Sequence, residues 1–109
     1  MKEALIRESK DRLVDLADFL EATRLTLHLK NIELIEESRI GKGAYYHKLR
    51  KGLPVNADAY IRLILVIVGK IRKLISLRKL SGRFEIHWAF RLWRVIAGKN
   101  RAYPLPVYQ

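Results

Sequence analysis

Apolar residues recur every three or four positions along most of the chain, the spacing that gives an amphipathic helix one buried face. In the first such stretch, Leu13, Leu16 and Leu20 fall on one side, and Asp15 and Asp18 fall on the other. The same periodicity predicts helices over residues 3–24, 30–38, 42–51, 57–80 and 83–97. No segment shows the alternation of period two expected of a β-strand. We therefore predict an all-α fold, a single-domain bundle of about five helices.

Glycine and proline mark the predicted boundaries of the short third helix. Gly41 and Gly43 interrupt the pattern before it, and Gly52 and Pro54 follow its end. In the fourth helix, the predicted inward stripe consists of Ile61, Ile64, Leu65, Val68, Ile71 and Ile75. The last segment, NRAYPLPVYQ, has two prolines among four residues and is predicted to be extended.

The length of 109 residues suits one domain, because single cores typically organise about 100 to 200 residues. Half of the residues are hydrophobic, which is enough for a packed core. We expect residues 1–80 to form the helical domain. Residues 81–109, a basic aromatic helix and its tail, are expected to pack on this domain or on a second subunit.

The charge of the chain is strongly polarised. Residues 1–40 carry 7 Lys and Arg against 9 Asp and Glu, whereas residues 41–109 carry 15 against only Asp58 and Glu85. The formal net charge of the whole chain is +11. A polarised basic surface attracts a polyanion such as nucleic acid or an acidic membrane. The charge of the chain therefore favours a polyanionic partner.

The residues that catalysis or metal binding would require are scarce. The chain has no cysteine, and its histidines, His28, His47 and His87, lie far apart without the spacing of metal ligands. Only two carboxylates follow Ile40, and no glycine-rich phosphate loop is present. We therefore expect no enzymatic activity, no cofactor, no metal and no small-molecule substrate.

The second and third predicted helices have the layout of a helix-turn-helix over residues 30–52. In that motif the second helix supports a short third helix, one face of which packs on the core while the other enters the major groove of DNA. The expected buried residues are Leu34, Ile35, Ile40, Tyr45 and Leu49. The expected DNA-facing residues are Lys42, Tyr46, His47 and Arg50, with Lys48 and Lys51 nearer the phosphates.

Arg50 is the strongest candidate for a guanine contact, because its guanidinium can bond two acceptors on one base edge. Basic residues of the fourth helix, notably Lys70, Arg72 and Lys73, are expected to add phosphate contacts that raise affinity without reading sequence. The alternative for these three residues is an ordinary solvated helix face. For residues 30–52 the alternative is an ordinary helical hairpin within a bundle.

The stretch LKNIELIEESRIGKGAYYHKLRKG, residues 29–52, resembles the motif of bacterial and phage helix-turn-helix regulators of the repressor-like and Fis-like kinds. Ile40 matches the aliphatic residue after the turn, Tyr45 the buried position of the DNA-reading helix, and Lys48-Leu49 an ending common in Fis-like motifs. The resemblance covers about a fifth of the chain. It implies that residues 42–51 read the major groove of duplex DNA.

The turn departs from the pattern of these regulators. They usually place glycine at the turn position where this sequence has Arg39. A positive φ is uncommon for a residue with a side chain. Either Arg39 adopts the left-handed conformation, or the turn shifts toward Gly41 and rotates the DNA-facing residues.

The last predicted helix suggests an interface. Trp88, Phe90 and Trp93 are bulky for one small bundle, so residues 83–97 are predicted to form a homodimer, with core packing as the alternative. The longest apolar run, residues 63–69, is far shorter than the roughly 20 residues that span a bilayer, and a membrane partner is not expected.

Together these features predict a small transcription regulator from a phage or mobile element, cytoplasmic and nucleoid-associated. Two alternatives stay open. One is a virion or membrane-surface component that uses the basic amphipathic helix 57–80. The other is an RNA-binding helical module, in which Tyr45 and Tyr46 would stack on unpaired bases.

Overall fold

A computed structural model of the chain describes the backbone of residues 2–97 and the side chains of residues 10–97. The helices are α1, Lys2–Thr26; α2, Asn31–Ser38; α3, a π-helical turn, Ala44–Lys48, followed by a 3₁₀ turn, Leu49–Lys51; α4, Ala57–Ser76; and α5, Arg83–Ala97. No strand occurs among residues 2–97. The predicted all-α bundle of about five helices is confirmed, and the predicted extended tail lies outside the described residues.

The centre of the core is the inward face of α4. Leu63, Ile67 and Ile71 are each at most 1% exposed, and they follow one another at four-residue intervals. α4 packs against α2 and α5, while α1 packs against α5 and the 3₁₀ turn of α3. Because α5 contacts both α1 and α4, residues 83–97 belong to the same core as the preceding helices.

The predicted inward stripe of α4 was wrong at two of its positions. Ile61 and Leu65 are both more than half exposed, whereas the buried positions are Ala59 and the three core residues Leu63, Ile67 and Ile71. The physical reason is that α4 is apolar on most of its circumference. Its sequence therefore offers two stripes of helical spacing, and only the packing of the other helices selects between them.

Left-handed residues end four of the helices, and Arg39, with φ 59°, is the one that ends α2. His28, Gly52 and Arg78 have φ values of 55°, 72° and 59°. At Arg78 the amide N–H groups of Arg78 and Lys79 donate to the carbonyls of Ile75 and Leu74, at 2.9 and 2.8 Å. This is the Schellman pattern, which satisfies the last carbonyls of a helix. α4 therefore ends at Ser76, four residues before the predicted end. The sequence pattern did not predict this end, because the left-handed conformation is usually adopted by glycine and residue 78 is arginine.

Trp88 fixes α5 on α1 through a buried polar contact. Its Nε1–H donates to Thr23 Oγ1 at 2.8 Å, and the Thr23 hydroxyl donates to the carbonyl of Phe19 at 2.8 Å. The Trp88 and Phe19 ring centroids are 5.6 Å apart. Trp88 and Thr23 are both buried. Trp88 is therefore part of the core, which was the predicted alternative to a dimer interface.

Replacing Thr23 by Val keeps the shape of the side chain and removes the acceptor of the Trp88 N–H. We expect Thr23→Val to lower the free energy of unfolding by about 1–3 kcal/mol, the cost of a buried donor without a partner. Urea denaturation followed by circular dichroism measures the change. Thr26→Val is the matched control, because Thr26 makes the same bond to the carbonyl four residues earlier on an exposed surface. Equal destabilisation of both variants would contradict the assignment.

Gly52 is required by both conformation and space. A Cβ at this position would lie 2.6 Å from Val14 Cγ2 and 2.9 Å from Val14 Cα, and the residue has φ +72°. We expect Gly52→Ala to destabilise the fold by about 2 kcal/mol or more. Gly69→Ala is the control: a Cβ at Gly69, on α4, meets nothing within 4 Å, so it should be neutral or stabilising by about 0.5–1 kcal/mol. A thermal melt in which both variants shift together would refute the role given to Gly52.

Candidate nucleic-acid interface

The turn between α2 and α3 is set by Arg39. This residue has φ 59° and ψ 31°, which is the left-handed conformation, whereas Gly41 has no positive φ. Of the two predicted alternatives, the left-handed residue is therefore Arg39, and the turn is not shifted toward Gly41. Ile40, which follows, is buried. The Arg39 carbonyl accepts a bond of 3.2 Å from Arg62 Nη1. This contact links the turn to the first part of α4.

The inward face of α3 is anchored in the core. Tyr45 and Leu49, four residues apart, are each 2% exposed. The Tyr45 hydroxyl donates to Asn31 Oδ1, at the start of α2, at 2.7 Å. Burial raises the pKa of Tyr45, and the neighbouring Arg50 partly offsets this effect. All the residues expected to be buried in this region are buried: Leu34, Ile35, Ile40, Tyr45 and Leu49.

The outward face of α3 carries exposed basic and polar side chains. The exposed residues from the expected DNA-facing set are Lys42, Tyr46, His47, Lys48 and Lys51. The rings of Tyr46 and Tyr45 are nearly perpendicular, with centroids 5.1 Å apart. Arg39, which the sequence did not place in this set, is also exposed. We refer to Arg39, Lys42, Lys48 and Lys51 as the α2–α3 cationic surface.

These four cations have no ion-pair partner within residues 10–97. The sequence explains why: it has no acidic residue between Glu37 and Asp58. Lys48 and Arg62 also border an open cavity of about 430 Å³ beside the start of α4. Arg62 itself pairs with Asp58, at 3.2 Å. The α2–α3 cationic surface is thus positive without internal compensation.

Arg50 occupies a different environment from the other basic residues of α3. Its Nη1 lies 3.0 Å from Glu21 Oε2 and 3.1 Å from Asn31 Oδ1. Its guanidinium carbon lies 5.9 Å from the centroid of the Tyr45 ring. To reach a base edge, the guanidinium would have to give up these contacts. Arg50 therefore anchors α3 to α1 and α2, and we leave it out of the proposed interface.

Glu21 is the acidic centre of this anchor. The hydrogen bond from Arg24 lowers the pKa of Glu21, burial acts against it, and the charge of Arg50 lowers it further. The same bond raises the pKa of Arg24, whose Nη1 also donates to the carbonyl of Leu29 at 2.8 Å. One carboxylate thus holds two guanidinium groups, one from its own helix and one from α3.

The expected phosphate contacts of α4 fall into two groups. Lys70 Nζ lies 2.9 Å from Glu37 Oε2 and 3.9 Å from Glu33 Oε2. Arg72 pairs with Glu85 at 2.9 Å. Lys73 is exposed and forms no ion pair with residues 10–97. Lys70 and Arg72 therefore hold α2 and α5 against α4, which the sequence could not show because their partners lie on other helices.

The comparisons with known proteins identify no relative. No family model matches the chain, and neither a curated protein nor a solved structure matches it. Within the described residues, no group of three or more His, Cys, Asp or Glu side chains is placed to hold a metal ion. None of the described helices is both long and apolar enough to cross a bilayer.

The Glu21 anchor leads to a prediction about pH. Because the folded state lowers the pKa of Glu21, ionised Glu21 stabilises the fold above the usual glutamate pKa of about 4.3, and this stabilisation is lost as the pH falls through the lowered value. We expect Glu21→Gln to cost about 1 kcal/mol at pH 7, and the difference from the wild type to shrink below about pH 4.

Denaturation curves at several pH values measure this difference. Glu36→Gln is the control, since Glu36 is an exposed acid of α2 without an ion pair among residues 10–97. It should have little effect at any pH. A destabilisation by Glu21→Gln that stays constant between pH 7 and pH 3 would show that the carboxylate charge is not what stabilises the anchor.

Proposed function

We propose that this protein binds duplex DNA through the α2–α3 cationic surface and acts as a small nucleoid-associated transcription regulator. One observation carries the proposal: Arg39, Lys42, Lys48 and Lys51 are exposed and without ion-pair partners in residues 10–97, on a segment that contains no carboxylate. When such a surface neutralises phosphates, the counterions condensed on the DNA are released, and this release supplies much of the affinity for DNA.

The anchoring of α3 supports a helix-turn-helix mode of binding. Tyr45 and Leu49 fix its inner face in the core, and Arg50 ties it to α1, so its outer face is held in one orientation. Preorganised side chains lose little conformational freedom on binding. In this mode Lys42, Tyr46 and His47 would face base edges. Arg39, Lys48 and Lys51 would contact phosphates on either side.

Two acidic residues of α2 lie near the turn, and their charge is compatible with DNA binding in this mode. Glu33 and Glu37 flank the turn on the helix that precedes it, and both lie near Lys70 Nζ. The pairing of Glu37 and Lys70, at 2.9 Å, reduces the negative field that approaching phosphates would meet. Lys70 therefore contributes to binding through neutralisation in this proposal.

Duplex DNA is favoured over single strands by the aromatic residues of α3. A platform for unpaired bases needs several exposed rings along the path of the strand. Tyr45 is buried, and its hydroxyl is bonded to Asn31, so Tyr46 and His47 are the exposed rings of this helix. Two adjacent rings among four cations suit phosphate contacts better than stacking along a strand. The RNA-binding alternative predicts the opposite preference between probes.

The homodimer predicted through residues 83–97 is not part of this proposal. Trp88 is buried in the core of its own chain. Arg83 and Arg94 of α5 are exposed, so a contact between two copies of this helix would add to its positive charge. The proposed DNA contact needs only one copy of α3.

The triple variant Lys42→Ala, Lys48→Ala, Lys51→Ala tests the proposed surface. We expect at least tenfold weaker binding to a 30-base-pair duplex of random sequence at low salt, and a salt dependence of log K that is shallower by about 0.9 for each phosphate that the variant no longer neutralises. Fluorescence anisotropy titrations at two salt concentrations measure both quantities. Because the three side chains are exposed, the circular dichroism spectrum should not change.

The control carries the same change in net charge at another place. Lys79→Ala, Arg83→Ala, Arg94→Ala removes three exposed cations from the end of α4 and from α5. It should weaken binding much less than the α3 variant. Equal weakening by the two triple variants would mean that net charge alone drives adsorption, and the proposed interface would then be abandoned.

A further inference from the structure

The α4–α5 hairpin exposes large apolar side chains that no other part of the described chain covers. Five residues of these helices are between 40% and 63% exposed: Ile61, Leu65, Ile86, Trp93 and Ile96. We refer to them as the outer α4–α5 face. Scattered exposed hydrophobic residues are normal on a soluble domain, but a contiguous set on two adjacent helices marks an interaction site.

An ion pair places the two apolar stripes side by side. Arg72 Nε of α4 lies 2.9 Å from Glu85 Oε1 of α5, so these two residues face each other across the hairpin. Leu65 and Ile61 precede Arg72 by two and three helical turns, and Ile96 follows Glu85 by three turns. Trp93 lies one turn before Ile96 on the same side. Helical spacing therefore places Ile61 and Leu65 on the side of α4 that carries Arg72, and Ile96 on the side of α5 that carries Glu85.

The charges that α4 and α5 themselves carry are mostly positive. α4 and α5 each contain one acidic residue, Asp58 and Glu85, and both are paired with arginine. Lys73, Arg83 and Arg94 of these helices are exposed and have no ion-pair partner in residues 10–97. An apolar strip with a cationic border is the composition of a helix that lies in the surface of an anionic membrane.

The shape of the face suits a planar partner. Ile61 and Leu65 are more than half exposed, so both project from the surface of α4. Leu65 also borders an open cavity of about 340 Å³ beside Lys70 and Lys73. A second copy would add further exposed cations, among them Arg83 and Arg94, to those already present on this face. DNA offers anionic groups but no broad apolar surface. A lipid surface offers both negative headgroups and acyl chains, and tryptophan is favoured at their boundary.

We propose that the outer α4–α5 face binds the surface of anionic lipid membranes, with α4 and α5 lying in the interface and not crossing the bilayer. Helical periodicity assigned Ile61 and Leu65 to the core, so this two-helix face could not be predicted from the sequence pattern. The proposal does not depend on DNA binding, since it uses none of the residues of the α2–α3 cationic surface.

The test uses the full chain and vesicles of phosphatidylglycerol mixed with phosphatidylcholine. We expect the protein to sediment with these vesicles, and lipids brominated on the acyl chains to quench the fluorescence of the exposed Trp93. Trp88 is buried and should contribute little to the quenching. The double variant Ile61→Ser, Leu65→Ser retains Trp93 as the reporter. It should bind at least tenfold more weakly and lose the quenching.

The matched control is Leu25→Ser, Leu53→Ser, which removes two leucines of similar exposure outside α4 and α5. This variant should bind vesicles like the wild type. Circular dichroism verifies that both double variants fold. The DNA affinity of the Ile61 and Leu65 variant should stay within about twofold of the wild type, so a failure of this proposal can be told apart from a failure of the DNA-binding proposal.

Three results would overturn the lipid proposal. The first is binding to anionic vesicles without quenching by brominated lipid, which would show electrostatic adsorption only. The second is equal binding by the two double variants. The third is a dimer in sedimentation experiments that the Ile61 and Leu65 variant abolishes, which would make a second copy of the chain the occupant of this face.

Discussion

The burial of one stripe of α4 determines the arrangement of the other helices. Leu63, Ile67 and Ile71 are almost completely excluded from solvent, and each contributes on the order of 2 kcal/mol of hydrophobic stabilisation. α2 and α5 both pack against α4. Because α4 is apolar around most of its circumference, burying this stripe leaves Ile61 and Leu65 outside. The orientation of α4 therefore determines both which residues form the core and which residues form the outer α4–α5 face.

The position of α3 depends on contacts with other helices more than on its own backbone. A π-helical turn followed by a 3₁₀ turn lacks the regular i to i−4 hydrogen bonds of a longer α-helix, and a segment of eight residues is too short to be stable alone. Tyr45 and Leu49 supply the buried contacts, and the ion pair between Arg50 and Glu21 supplies a polar one. The basic residues of α3 thus have two roles. Arg50 anchors α3 to α1, and the others lie on its exposed outer face.

Local patterns in the sequence predicted the helices, the buried residues of α2 and α3, and the exposure of most of the basic residues of α3. What they missed depends on contacts distant in the chain. Arg50 pairs with Glu21, 29 positions earlier, and Lys70 pairs with Glu37. Periodicity does not show which of two apolar stripes of α4 faces inward. Nor does it mark Arg78 as the end of α4, because that residue adopts a left-handed conformation without being glycine.

The two proposed surfaces both attract anions, and their apolar content separates their partners. Ion pairing neutralises the acids near both, through Lys70 beside the turn and through Arg62 and Arg72 on α4. The α2–α3 cationic surface gains mainly by releasing counterions, so a high density of phosphates is its best partner. The outer α4–α5 face also gains by removing aliphatic groups from water, which a DNA backbone cannot provide. Under the two proposals, one basic chain binds two anionic partners through different helices, because one surface is nearly all charge and the other combines charge with hydrocarbon.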